Sequence, residues 1–395
     1  MLQKYISTVM VRFQLLFVLA VLVALVGCVE TEKAAAIIAH FRQEFVEDTR
    51  EEVFEVGFSQ KQGNHIVLQG EMEDVHLKKR LVDSLEMNGF SVNDSITILP
   101  HDVPAPWGLV RLSVANLRAA PSYRAEMVTQ AVMGTPVRIL KEKGGWVYVQ
   151  TPDQYLSWCG KSALALKTEA ELSAWKESRR VVFDAPVGFV KEFDTARNVS
   201  DIVSGSVLKL DAEQGDQLRV RLPDGRTGRI AKSDTRLFNE KQVLQTVNPA
   251  LLEQEARALM GVPYLWGGTS SKGVDCSGFT KTVYRQNGLI LARDASLQAR
   301  HGELVPADGG WQHFEKGDLL FFAPRRGSDR ITHTGIYLAD GEFIHSAGRV
   351  KVNSLDSTRQ HYSRYRAETL VRVRRIRGNE GARGIVPFVA HPWYN

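Results

Sequence analysis

The chain has 395 residues, a formal net charge of +5 and three cysteines. The near balance of 50 basic and 45 acidic residues argues against a nucleic-acid partner. Three cysteines are too few for a disulfide framework, so two to four domains with ordinary apolar cores are expected at this length.

The first segment predicts export. An apolar run from Phe13 to Val26, broken only by Gln14, is short for a membrane span and fits the hydrophobic region of a signal peptide. It ends in Leu25-Val26-Gly27-Cys28, which resembles a bacterial lipobox, with an uncleaved membrane anchor as the alternative. We therefore predict a signal peptide over residues 1–27, a lipid on Cys28, and an exported protein tethered to a bacterial membrane, in the periplasm or at the cell surface.

Residues 28–105 predict a small α+β module and a linker. Helices are expected over 34–46 and 75–87, and strands near 53–58, 65–69 and 91–98. The order helix, strand, strand, helix, strand resembles a BON-like module in topology. No cluster of histidine, cysteine or carboxylate suggests chemistry there, so we interpret it as a spacer or docking module.

The next segment consists of short strands separated by turn signals, which is typical of small β-barrels. The stretches "VANLRAAPSYRAEMVTQAVMGTPVRIL" and "GGWVYVQTPDQYLSWC" resemble a bacterial SH3-like domain, predicted over residues 106–178. A more divergent copy follows over 179–245, with Asp224-Gly225 as a hairpin turn. Cys159, in the first copy, is interpreted as a small buried apolar residue.

The last domain, predicted over 246–378, has helices first and an antiparallel sheet afterwards, so the fold class is α+β. In "VDCSGFTKTVYRQNG", Asp275 is a natural N-cap and Asn287-Gly288 a natural helix stop. Cys276 then lies in the first turn of a helix, where unpaired N–H groups and the helix dipole favour thiolate over thiol. A second short helix is expected over 295–301, and the tail over 379–395 has no periodicity that assigns it.

Two histidines follow on strands, His333 in "THTGIYL" and His345 in "FIHSAG". A two-residue turn between these strands would make the two side chains face opposite ways. A three-residue loop, Ala339–Gly341 with Gly341 left-handed, instead puts His345 opposite Gly335 and makes the histidines diagonal neighbours on one face. We predict the three-residue loop.

The motifs "DCSGF", "HTGIYL" and "FIHSAG", in this order, resemble the NlpC-type cysteine peptidases of bacterial cell walls, a papain-like family. With the lipobox and paired barrels, the chain resembles the γ-D-glutamyl-L-diamino acid endopeptidases. The resemblance implies Cys276 as nucleophile, His333 as general base and later acid, and His345 as the residue that orients His333. It implies no cofactor, and the cysteine and histidines lack close metal-ligand spacing.

The resemblance also implies substrate contacts. Tyr264 would polarise the scissile carbonyl together with the backbone N–H of Cys276. In the first barrel, Tyr155 and a buried carboxylate of Glu126 would hold the free N-terminal amine of the substrate. The full set of implied contacts is Trp266, Asp275, Ser277, Tyr155, Glu126, Asp294 and Ser296. Relatives commonly have Arg-Asp-Ser where this chain has Arg293-Asp294-Ala295-Ser296, so the serine contact is displaced or lost.

The expected function is hydrolysis of the γ-D-glutamyl–diamino acid bond in murein peptides by a monomeric enzyme. An amidase or acyl transferase on the same fold is one alternative. The other is a wall-binding lipoprotein with a vestigial peptidase domain, against which the intact Cys–His–His set argues.

Overall fold

The computed structural model describes residues 30–61, 63–238 and 247–395, which form two compact units, 30–101 and 102–395. The predicted signal peptide and Cys28 lie outside the described residues. Within those residues, every helix is too short or too polar to cross a bilayer.

The N-terminal unit has the predicted order of elements. Its elements are α1 (30–45), β1 (Phe54–Gln60), β2 (His65–Met72), α2 (Val75–Met87) and β3 (Ser91–Ile98). Strand β2 pairs antiparallel with β1 and parallel with β3, because α2 makes the crossover that a parallel pair requires. Asp74 caps α2 by accepting from the N–H groups of His76 and Leu77. Both helices pack on the sheet around a core that includes Leu68 and Leu81.

The second unit begins with a seven-stranded antiparallel sheet over 107–167, here called the first β-domain. Its strands are β4 (Trp107–Val110), β5 (Val114–Arg118), β6 (Met127–Val132), β7 (Pro136–Lys143), β8 (Trp146–Gln150), β9 (Leu156–Gly160) and β10 (Leu164–Lys167). Their order is β10-β4-β7-β8-β9-β5-β6. Cys159 is a free cysteine buried in the core, as predicted.

A second seven-stranded sheet over 180–237, the second β-domain, follows helix α3 (Glu169–Glu177). Its strands are β11 (Arg180–Phe183), β12 (Val187–Lys191), β13 (Asn198–Val203), β14 (Val207–Gln214), β15 (Gln217–Arg221), β16 (Thr227–Ala231) and β17 (Thr235–Leu237). Their order is β13-β12-β16-β15-β14-β11-β17. When the strands of each domain are numbered from its own start and this order is read from β17 to β13, it is the same as the order of the first sheet. The two β-domains therefore share one topology, in agreement with the predicted internal repeat.

The C-terminal part, over 247–395, carries four helices and a six-stranded antiparallel sheet. The helices are α4 (Pro249–Ala258), α5 (Cys276–Gln286), α6 (Ala295–Gln298) and α7 (Arg364–Thr369). The sheet strands are β21 (Glu303–Val305), β22 (Leu319–Phe322), β23 (His333–Tyr337), β24 (Glu342–Ala347), β25 (Arg349–Ser354) and β26 (Leu370–Arg375). Short strands β18 (Thr269–Ser270) and β19 (Gly273–Val274) pair with each other, and β20 (Leu289–Leu291) pairs with β27 (Ile385–Pro387). Helix α5 packs on β23 and β24 around Phe279 and Ile344.

The segment over 379–395, which the sequence leaves unassigned, packs against all three parts of the second unit. Tyr394 is fully buried, and the Arg180 guanidinium of the second β-domain donates to its carbonyl at 2.7 Å. The ring of Phe388 packs against that of Tyr394. His391 Nε2 lies 2.9 Å from the Pro152 carbonyl of the first β-domain. The segment thus joins both β-domains to the C-terminal part.

Candidate active site

Helix α5 begins at Cys276, as the cap signals predict. The carboxylate of Asp275 accepts from the Gly278 N–H at 2.7 Å, which makes it the N-cap. A Cβ on Gly278 would lie 1.9 Å from the Gly268 carbonyl oxygen. Only glycine therefore lets the loop before the cysteine pack directly on the first turn of the helix.

The β23–β24 hairpin has the predicted register. Ile336 pairs with Ile344, which puts His345 opposite Gly335 across a three-residue loop. Asp340 and Gly341 are both left-handed, with φ of 49° and 78°, whereas only Gly341 was predicted to be so. The imidazoles consequently meet on one face of the sheet, with His333 Nε2 at 2.7 Å from His345 Nδ1.

A fourth residue, Asn353 of β25, completes this chain of hydrogen bonds. His345 Nε2 lies 2.9 Å from Asn353 Oδ1. The Asn353 amide nitrogen donates to the His361 carbonyl at 3.0 Å, so the amide oxygen is the atom that faces the imidazole. His345 therefore carries its proton on Nε2 and accepts with Nδ1. His333 in turn donates from Nε2 and keeps a lone pair on Nδ1, which is the tautomer that a general base requires.

Burial determines the protonation state of the nucleophile. Burial, and then the charge of Asp275, raise the pKa of the Cys276 thiol to about 11. Hydrogen bonds from the backbone N–H groups of Thr334 and Ser277 lower this pKa only in part. The N–H groups of the helix N-terminus thus act toward the thiolate as predicted, but the thiol is the favoured form, because desolvation of the thiolate outweighs them.

The histidines are neutral as well. Burial, followed by the charge of Arg366, lowers the pKa of His333 well below its usual value. Burial lowers the pKa of His345 to about 4, although the hydrogen bond that His345 donates to Asn353 opposes this shift. The resting pair is a neutral thiol beside a neutral imidazole, and the thiol hydrogen bond from Thr334 places the sulfur next to the strand that carries His333. Thiol deprotonation and nucleophilic attack must then occur together.

Asp275 and Ser277 belong to a buried polar cluster around Arg293. Asp275 forms an ion pair with the Arg293 guanidinium and accepts from the Gly267 N–H at 3.0 Å. Ser277 Oγ accepts from Arg293 at 2.9 Å. These contacts already occupy both Asp275 carboxylate oxygens, so the observed role of Asp275 is to hold the loop and helix together. The sequence signal for Arg293 was its position directly before Asp294.

Tyr264 and Trp266 lie on the loop that precedes the nucleophile. Burial, and then the charge of Cys276, raise the pKa of Tyr264 to about 12, so its hydroxyl is a proton donor at neutral pH. The Trp266 side chain is exposed, and its Nε1–H donates to Glu126 Oε1 of the first β-domain at 2.7 Å. Glu126 is exposed rather than buried as expected, because it lies in the β5–β6 turn at the rim of that domain.

The turn before β9 docks the first β-domain on the nucleophile helix. Asp153 forms an ion pair with Lys281 of α5, and the two side chains are only 3% and 13% exposed. The hydroxyl of Tyr155 donates to Asp294 Oδ2 at 3.2 Å. Ser296 is partly buried in α6, one turn before the fully buried Ala299. The structure thus brings Tyr155 and Asp294 together, while the substrate roles of all these residues stay predictions.

Comparison with known proteins bears on both parts of this site. A model of the NlpC/P60 family matches residues 261–375, and a model of the bacterial dipeptidyl-peptidase Sh3 domain matches residues 117–164. A γ-D-glutamyl-L-lysine dipeptidyl-peptidase of Bacillus cereus is 29% identical over 68% of this chain and 83% of its own length. The protein of the same name in Bacillus subtilis is 30% identical over 55% of this chain and 71% of its own length.

The solved structure of an NlpC/P60 family protein from Bacillus cereus is similar in fold, with a TM-score of 0.60 at 24% identity, and covers 68% of this chain and 99% of that one. Neither family model extends into the N-terminal unit. The matched ranges contain the cysteine, both histidines and most of the first β-domain. The chain belongs to the NlpC/P60 family of cysteine peptidases.

Proposed function

We propose that this protein hydrolyses the γ-D-glutamyl–diamino acid bond of murein peptides that carry a free N-terminal L-Ala. The observation that supports this proposal is the contact of the first β-domain with the peptidase part, in which Glu126 accepts from Trp266, Tyr155 donates to Asp294, and Asp153 pairs with Lys281 of the nucleophile helix. The names of the two Bacillus relatives, γ-D-glutamyl-L-lysine dipeptidyl-peptidase, support the same bond.

The chemistry follows from the neutral resting pair. The Cys276 thiol attacks the γ-carbonyl carbon of D-glutamate while His333 Nδ1 takes the thiol proton. The oxyanion accepts from the Cys276 backbone N–H and the Tyr264 hydroxyl. His333 then returns the proton to the leaving amine, which leaves a thioester on Cys276. A water molecule, deprotonated by His333, hydrolyses the thioester and restores the thiol.

The first β-domain supplies the selectivity for a free amine. Glu126 offers a carboxylate next to the exposed indole of Trp266, and the Tyr155 hydroxyl lies against Asp294. A substrate ammonium at this end would pair with these carboxylates. An N-acetyl group removes the positive charge and adds bulk against a wall that is fixed by the Asp153–Lys281 ion pair.

The test compares L-Ala-γ-D-Glu-diamino acid with the same peptide N-acetylated. We expect kcat/KM to fall about 10²-fold on acetylation, which is the loss of one to two charge-assisted hydrogen bonds. Glu126→Gln and Tyr155→Phe should each reduce this ratio. Glu142→Gln is the matched control, since Glu142 pairs with Lys161 within the same domain. Equal rates on the two peptides would refute the amino-end assignment.

We also propose that the enzyme is exported and anchored by lipid on Cys28. Leu25-Val26-Gly27-Cys28 after an apolar run supports this location. Cys28→Ala should leave the precursor unprocessed or release the protein from the membrane fraction. Normal processing and membrane retention of that variant would contradict the anchor without affecting the peptidase proposal.

A further inference from the structure

Arg366 of α7 has no carboxylate partner among the residues that the structure describes, although it is partly buried. Its guanidinium carbon lies 5.2 Å from the ring centre of Phe322 and 5.0 Å from that of Tyr365. Phe322 pairs with His333 across β22 and β23, and their ring centres are 5.8 Å apart. The ring of Phe322 therefore contacts both the Arg366 guanidinium and the imidazole of the general base.

This charge acts on the active site itself. It lowers the pKa of both His333 and His345, and it interacts with the charge of Cys276. Lys351, which is directly opposite His345 across β24 and β25, acts on both histidines in the same direction. Contact with aromatic rings offsets only part of the cost of removing a guanidinium from water. An anion supplied from outside the chain would offset the rest.

The position of Arg366 identifies which part of a substrate would supply that anion. Tyr264, which interacts with the charge of Cys276, lies on the loop before the nucleophile, and Trp266 of the same loop contacts Glu126 of the first β-domain. Phe322 instead packs against His333, and Arg366 lies on the ring of Phe322. The amino end of the peptide is assigned to the β-domain in the proposed function. The leaving diamino acid must then lie on the side of His333, which is the group that protonates its amine.

We propose that Arg366 binds the side-chain carboxylate of the leaving diamino acid, so that the enzyme prefers diaminopimelate over lysine at this position. This inference rests on the proposed function. The guanidinium suits the task because it stays charged and can form two parallel hydrogen bonds to a carboxylate. Lysine presents an ammonium group there, which two nearby cations would repel.

The test uses four peptides of the form L-Ala-γ-D-Glu-X, with X either L-lysine or meso-diaminopimelate and the α-carboxyl group of X either free or amidated. Assays at pH 8 keep His333 neutral whether or not the Arg366 charge is present. The wild-type protein should cut both diaminopimelate peptides at least about 10-fold faster than the lysine peptides in kcat/KM, whatever the state of the α-carboxyl group. Arg366→Met should abolish this preference by slowing the diaminopimelate peptides, and Arg366→Lys should retain part of it.

Arg364→Met is the matched control, since Arg364 lies two residues earlier on α7, is exposed, and pairs with Glu368. Equal rates on the diaminopimelate and lysine peptides would overturn the inference while leaving the proposed function intact. A dependence on the α-carboxyl group alone, or an equal loss on all four peptides in Arg366→Met, would overturn it too. Failure of the wild-type protein to cut any of the four would instead refute the proposed function.

Discussion

Replacing Asn353 tests whether the tautomer chain sets the rate. In Asn353→Leu, the Nε2–H of His345 loses its acceptor at 2.9 Å while the side-chain volume is nearly kept. Two responses are open to the ring. It keeps its tautomer with a buried, unpaired N–H, or it moves the proton to Nδ1. In the second case His333 must accept on Nε2, so its own proton moves to the Nδ1 that should deprotonate Cys276.

The structure sets the size of the effect. His345 is 1% exposed, so water does not replace the lost acceptor. An unsatisfied buried donor costs about 1–3 kcal/mol, and switching the ring to the other tautomer is the alternative to that cost. At 1.36 kcal/mol for each tenfold change in rate, kcat should fall about 5- to 150-fold. KM should change little, because Asn353 is separated from the nucleophile by two imidazoles.

Asn353→Asp is the informative counterpart, since a carboxylate still accepts from His345. This variant should retain more activity than Asn353→Leu and should move the acidic limb of the pH–rate profile upward, because a negative charge raises the pKa of both histidines. The assay pairs pH–rate profiles with nitrogen-15 NMR of the imidazoles. An unchanged kcat in Asn353→Leu, or a wild-type spectrum with the His333 proton on Nδ1, would refute the reasoning.

Three further outcomes are expected. Cys276→Ser and His333→Ala should each abolish peptide release, while circular dichroism shows that the fold is kept. His345→Ala should reduce kcat about 10²–10³-fold. Near wild-type rates in His333→Ala would contradict the assignment. Because the pKa of His333 lies well below 6.5, kcat/KM should stay level from pH 8 down to about 6.5. It should fall only at lower pH, where His333 becomes protonated. An inflection above pH 6.5 in the pH–rate profile would argue against a neutral His333. Lys281→Met should lower the free energy of unfolding, measured with urea, by about 3–5 kcal/mol, because it leaves the Asp153 carboxylate buried and without its ion-pair partner. The double variant Lys281→Met/Asp153→Asn should lose less, and equal losses in the two variants would exclude the ion pair as the cause.

The buried His345 also links stability to pH. Its pKa is lowered from 6.5 to about 4 by burial, so its contribution to stability is complete above pH 6.5 and is lost as the pH falls toward 4. The free energy of unfolding should therefore drop by about 3 kcal/mol from this group between pH 7.5 and 4. Urea unfolding at the two pH values measures the change, and a His345→Gln variant with the same pH dependence would contradict it.

Local signals in the sequence were sufficient for the elements that position the catalytic set. Helix α5 begins and ends where its N-cap and the Asn287-Gly288 stop predict, and α2 covers the predicted residues 75–87, because caps and apolar periodicity act within a few turns of the chain. The hairpin register followed from the requirement that two histidines share a face. Caps act on neighbouring residues alone, whereas the register needed the further requirement that the two histidines meet; one sequence contains both.

Contacts between distant residues could not be predicted in this way. Asn353 is eight residues from His345 in sequence, and only the pairing of β24 with β25 places the two side chains on the same face of the sheet. Arg366 lies on a short helix with no periodicity of its own, and Lys281 appears in sequence as an ordinary exposed position of α5. The sequence also could not predict the protonation state of Cys276, since the helix dipole is a local effect whereas burial depends on the whole fold.

The Asp153–Lys281 ion pair limits how freely this catalytic domain can be transplanted. A fragment carrying only residues 247–395 would expose Lys281, which now pairs with Asp153, and the apolar side chains of Ala292 and Leu297, which now pack with Tyr155 of the first β-domain. Fused to an unrelated partner, the same fragment would present a lysine where that partner has no matching aspartate. Any natural or engineered exchange of the two parts must therefore change positions 153 and 281 together, or replace both by neutral residues. Chimeras that join residues up to 238 of one parent to residues from 247 of another, without regard to this pair, should express poorly even when each half comes from a stable parent.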